Sequence, residues 1–91
     1  MSLGRVVKDP DSRLDFVVDW SSWLPSDDFI ASAAASVQSG LTLHTQTYTS
    51  TQHAIWVSGG VVGTEYNVTS RIETNGGRID ERTFKIRVLE R

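Results

Sequence analysis

Residues 53–91, HAIWVSGGVVGTEYNVTSRIETNGGRIDERTFKIRVLER, decide the fold. They read as three consecutive antiparallel strands with two turns. Ile55, Trp56 and Val57 supply β-branched and aromatic character, and Ser58-Gly59-Gly60 breaks the run. Tyr66, Val68 and Ile72 share one parity, with Glu65, Asn67, Thr69 and Arg71 on the other. That is the period-two pattern of a half-buried strand. Asn75-Gly76 follows, a dipeptide that tolerates the positive φ of a type I′ hairpin turn at both central positions. The last strand returns with Phe84, Ile86 and Val88 on one face and Lys85 and Arg87 on the other.

A turn at Asn75-Gly76 sets Glu73 opposite Arg78, Ile72 opposite Ile79 and Arg71 opposite Asp80, so opposite charges meet across the strands. Ile79 and Phe84 are then of opposite parity, and a bulge within Asp80-Glu81-Arg82-Thr83 is expected to restore it. Val68 would face Phe84, and Tyr66 would face Ile86. Upstream, Gly63-Thr64-Glu65-Tyr66 places a Tyr at a strand start just after a Gly. That looks like a tyrosine corner, in which the hydroxyl bonds back to the preceding turn; an ordinary core Tyr is the alternative.

Working outward, Leu14, Phe16, Val18 and Trp20 alternate with Asp15, Val17 and Asp19 in a strand over residues 13–20. Before it, Arg5-Val6-Val7-Lys8 reads as a short edge strand ended by the turn Asp9-Pro10-Asp11-Ser12. After it, residues 21–28 form a loop or single helical turn. Residues 30–37 are read as a strand, with helix as the alternative that alanine propensity favours. Residues 41–48 alternate again. About seven short strands with frequent turns predict an all-β fold: an antiparallel β-sandwich of the immunoglobulin-like or fibronectin III-like kind. The expected core is Phe16, Val18, Trp20, Trp56, Tyr66, Val68, Phe84 and Ile86.

The chain has 91 residues, enough for one domain, placed at residues 4–91 with Met1-Ser2-Leu3 set aside as a possible expression remnant. A net charge of −2 gives no basic field for nucleic acid. No apolar run approaches the length of a membrane span. The chain has no cysteine, which excludes disulfides and thiolate metal sites.

Chemistry-bearing residues do not converge. His44 and His53 fall on adjacent strands, but a metal site needs further ligands, and a pair of surface histidines is the simpler reading. Asp9, Asp11 and Asp15 lack the spacing of a calcium loop and read as turn formers. The serines sit in no nucleophile elbow. Gly59, Gly60 and Gly63 precede no helix and so cradle no phosphate. Asn67-Val68-Thr69 fits a glycosylation sequon inside a strand. No catalytic, cofactor-binding or metal-ligating residue is therefore assigned, and no enzymatic activity or cofactor is expected. Arg71, Arg78, Asp80, Glu81 and Arg82 concentrate at one end of the last hairpin and form the candidate protein interface. A solvated hairpin tip is the alternative.

Two stretches also carry a family resemblance. Lys8-Asp9-Pro10-Asp11 followed by residues 14–24, LDFVVDWSSWL, is the first. Residues 55–60, 63–68 and 77–82 (IWVSGG, GTEYNV and GRIDER) are the second. In order and spacing, from about Val7 to Val88, they resemble small phage tail structural proteins of the fibre–tail adaptor kind. Ile79 stands where that family has Thr, and Ala33-Ala34-Ala35 replaces a Trp-bearing segment. The resemblance implies a virion component made in the bacterial cytoplasm. Its partners would be other phage structural proteins, with homo-oligomers in the assembled virion; nucleic acid and membrane would not be partners. The rival reading is a carbohydrate-binding or adhesion module, in which exposed Trp23 or Tyr48 stacks on sugars.

Overall fold

Alternation along the chain produces strands β1 (Ser2–Lys8), β2 (Arg13–Asp19), β3 (Ile30–Val37), β4 (Leu41–Tyr48), β5 (Gln52–Gly59), β6 (Glu65–Thr74) and β7 (Ile79–Val88). The computed structural model describes residues 2–8 and 12–89, with side chains from Lys8 and residues 12–89. Of the expected turn Asp9-Pro10-Asp11-Ser12, residues 9–11 lie outside them. One sheet has the order β1-β7-β6-β3 and the other β2-β5-β4. Six strands form antiparallel ladders, while β1 runs parallel to β7, with Lys8 opposite Val88. The expected antiparallel sandwich forms, and β1 is the strand of it that pairs in parallel. β1 and β2 belong to opposite sheets, so β1 finds its pairing partner in the last strand.

The sheets pack face to face. Val18, Trp20, Leu41, Ile55 and Val57 are buried on one side, against Ile30, Tyr66, Val68, Ile72, Phe84, Ile86 and Val88 on the other. Each fully buried apolar side chain of this size contributes about 1.5–3 kcal/mol. Phe16 is half-buried, and its ring meets Phe84 at 5.9 Å between centroids.

Trp56 does not belong to this core. β5 turns His53, Ile55 and Val57 inward, so strict alternation sends Trp56 to the outer face, half-buried beside Asp15 and Thr45. The alternation of β4 shifts at His44, where its ladder with β5 is irregular. β3 is a strand despite its alanines, because it pairs with β6 along its length. Ala33, Ala35 and Val37 then pack on the core, and ladder pairing outweighs helix propensity.

The hairpin departs from expectation in a connected way. Gly77 N–H donates to the Thr74 carbonyl at 3.0 Å, and Gly77, not Gly76, has the positive φ, +88°. The loop is therefore the three-residue kind, with Gly third. The extra residue sits in the turn, so no bulge is needed in β7. Glu73 pairs with Ile79, Ile72 with Asp80 and Arg71 with Glu81, unbroken to Val68–Phe84 and Tyr66–Ile86. Ile79 consequently points outward, half exposed.

The tyrosine corner forms as expected. Val61 N–H donates to the Tyr66 hydroxyl at 2.9 Å. A side chain at Gly60 would stand 2.6 Å from Val88 Cγ2 and 3.3 Å from the Tyr66 ring, so this turn closes only around glycine.

Candidate functional site

The candidate residues lie where the β2–β3, β4–β5 and β6–β7 connections meet. The organiser of that end is Asp28, whose side chain is 3% exposed. One carboxylate oxygen accepts from the Phe29 and Gly76 N–H groups, at 2.9 and 3.0 Å. The other accepts from Arg78 Nη1 at 2.8 Å. A hydrogen bond from the Thr74 side chain, joined by those from Gly76, Phe29 and Arg78, holds the carboxyl at a pKa of about 2. Asn75 N–H also donates to the Phe29 carbonyl at 3.0 Å. The loop before β3 and the hairpin tip are thus tied together by hydrogen bonds. Phe29 and Ile79 remain exposed on it.

The five sequence-predicted residues divide. Arg71 and Glu81 are exposed and directly opposed across β6 and β7. Arg78 is half exposed and tied to Asp28. Asp80 is half-buried, and its carboxylate accepts from Glu81 N–H at 2.8 Å. Arg82 faces inward, 7% exposed. Its guanidinium lies 4.3 Å from the centroid of Trp20 and donates to the Asp19 carbonyl at 3.0 Å. Arg82 therefore fastens the end of β2 to β7 and presents no surface. The parity of β7 without a bulge is the cause.

Beneath it runs a buried polar chain. Trp20 Nε1 donates to Ser70 Oγ at 3.2 Å, and Ser70 Oγ lies 2.7 Å from His53 Nδ1. His53 Nε2 reaches Gln46 Oε1. Ser70 can accept from Trp20 and donate to Nδ1 if Nε2 carries the proton toward Gln46, which satisfies every member. Burial lowers the His53 pKa, keeping the ring neutral. The expectation of two surface histidines is corrected: His44 is exposed, and His53 is a fully buried link between the sheets. Among the described residues, no three His, Asp or Glu side chains gather as a metal site.

At the other end of the sandwich, buried Lys8 donates from Nζ to the Gly59 carbonyl at 2.8 Å, tying β1 to β5 of the opposite sheet. Of the residues considered for sugar stacking, Trp23 is half-buried and Tyr48 exposed. Trp23 packs edge-on against Trp20 at 5.4 Å, and the Tyr48 hydroxyl donates to the Ala31 carbonyl at 3.0 Å. Sequence reasoning missed Asp28, Thr74, Phe29 and Ile79 as members of this end. The one available cue was Asp28 in the loop just ahead of β3, where carboxylates bond nearby backbone N–H groups.

A family model described as Gp77, podophage GP4 fiber-tail adaptor protein gp77, matches residues 8–87. No curated protein matches the chain.

Proposed function

This chain belongs to the podophage fiber-tail adaptor family, and from that membership we propose that it works by docking between fibre and tail proteins, without catalysis. An adaptor of this family is a virion component whose partners are other phage structural proteins. Assembly into the tail takes place in the host cytoplasm on this reading. The observation that carries the docking mechanism is the Asp28-clamped end, where exposed Phe29 and Ile79 stand on a hydrogen-bonded frame beside Arg78. Exposed apolar groups held in fixed positions lose little freedom on binding, so more of their burial appears as affinity. The mixed charges of Arg71, Glu81 and Arg78 add discrimination between partners more than affinity. Strand order and the Tyr66 corner support an immunoglobulin-like reading of the sandwich, a scaffold that presents loops at its two ends.

The test places Phe29→Asp and Ile79→Asp separately in the phage. Both side chains are exposed, so folding should survive, which circular dichroism of the purified variants checks. Reduced attachment of fibres to tails is the expected result. Normal fibre attachment and infectivity in both folded variants would remove this end from the interface.

A further inference from the structure

On the outer face of the four-stranded sheet, small side chains run across the middle of β3, β6 and β7. Ser36, Thr69 and Thr83 form one row across β3, β6 and β7, and the Thr69 and Thr83 hydroxyls are 3.0 Å apart. Glu81 and Lys85 stand two residues to either side of Thr83 on β7, both exposed on the same face. Neither has an ion-pair partner among the described residues, although Arg71 lies directly across from Glu81. On β6, Arg71 and Asn67 flank Thr69 in the same way.

This arrangement is self-complementary under one particular two-fold axis. An axis lying in the face, perpendicular to the strands and passing along the Ser36–Thr69–Thr83 row, reverses strand direction but keeps lateral order. It sets Lys85 of one copy against Glu81 of the other, twice, and Arg71 against Asn67, twice. An axis parallel to the strands at β6 instead stacks Arg71 on Arg71 and leaves Glu81 over Ala34 and Lys85 over Gln38 just past β3. The geometry points to a second copy of this chain as the occupant of the face, docked sheet on sheet about the crosswise axis. A two-fold interface of this kind closes on itself.

The strength follows from the area. Three strands at about 4.8 Å spacing and ten residues at about 3.4 Å rise give a footprint of roughly 500 Å² per partner. A standard stable interface covers about 800 Å² per partner. The dimer is therefore weak, concentration-dependent and weakened by salt. It goes beyond the adaptor reading and does not depend on it.

Sedimentation velocity over a concentration series tests it with the wild type, Lys85→Glu, Glu81→Lys and the double exchange. All three substitutions are exposed, and circular dichroism checks each fold. The wild type should self-associate at low salt. Each single variant should raise the dissociation constant about tenfold or more, because both copies then present like charges. The double variant should restore association, and a mixture of the two single variants should form a mixed dimer. A wild type that stays monomeric at about millimolar concentration would overturn the inference. So would single variants that associate like the wild type, or an exchange that fails to rescue.

Discussion

Trp20 is touched by Arg82, Trp23 and Ser70, which come from three separate parts of the chain. Trp20→Ala should therefore cost about 3–5 kcal/mol, the range for a large aromatic removed from a packed core. A urea titration reads it directly. Arg82→Met removes a desolvated cation–π contact and a charged hydrogen bond, and should cost about 2 kcal/mol or more. Charge reversal at the neighbouring exposed Glu81 should leave stability within about 0.5 kcal/mol. His53 gives a pH dependence whose sign is fixed. Its folded pKa lies below the ordinary 6.5, so below pH 6.5 the unfolded chain binds the extra proton first. Stability from this group is complete above 6.5 and declines as pH falls. Urea midpoints between pH 5 and 8 should show that slope, and His53→Gln should flatten it. Parity alone placed Trp20, Val18 and Val68 in the core. Residue type misplaced Trp56 and His53, because a Trp suggests burial and a His exposure, whereas alternation with Ile55 and Val57 requires the reverse.

At the scale of elements, all seven strands were legible, and β3 and β4 coincide with the expected residues 30–37 and 41–48. Hairpin register was not. It depended on whether two or three residues make the turn, and Asn75-Gly76-Gly77 contains signals for both. One residue of turn length moves every pairing beyond it, which is why Arg82 entered the candidate interface when it belongs to the core. Gly77→Val should destabilise by at least about 1–2 kcal/mol, the cost of a left-handed backbone for a side chain. The corresponding change in the thermal midpoint measures it. Asp28 binds the hairpin to the β2–β3 loop, with a folded pKa of about 2 against an ordinary 3.8. Its contribution is present above pH 3.8 and disappears as pH falls toward 2. Asp28→Asn should abolish that part of the acid dependence and leave the His53 slope intact.

For the whole molecule, the pairing of β1 with β7 joins segments about 80 residues apart in sequence. Lys8 and Leu89 complete it through a backbone bond of 2.9 Å. Among the described residues β1 pairs with β7 alone, so on the ribosome it waits until β7 has emerged. Loop-closure entropy for such distant contacts must be met before they return any stabilisation. Refolding should accordingly take milliseconds to seconds, as sandwiches of this contact pattern do. Throughout that interval the β7 edge is open to any extended segment, from a second nascent chain or a neighbouring tail protein. Production of this protein is thus exposed to strand exchange in proportion to its concentration, and slower synthesis at lower temperature should raise the yield of correctly closed molecules.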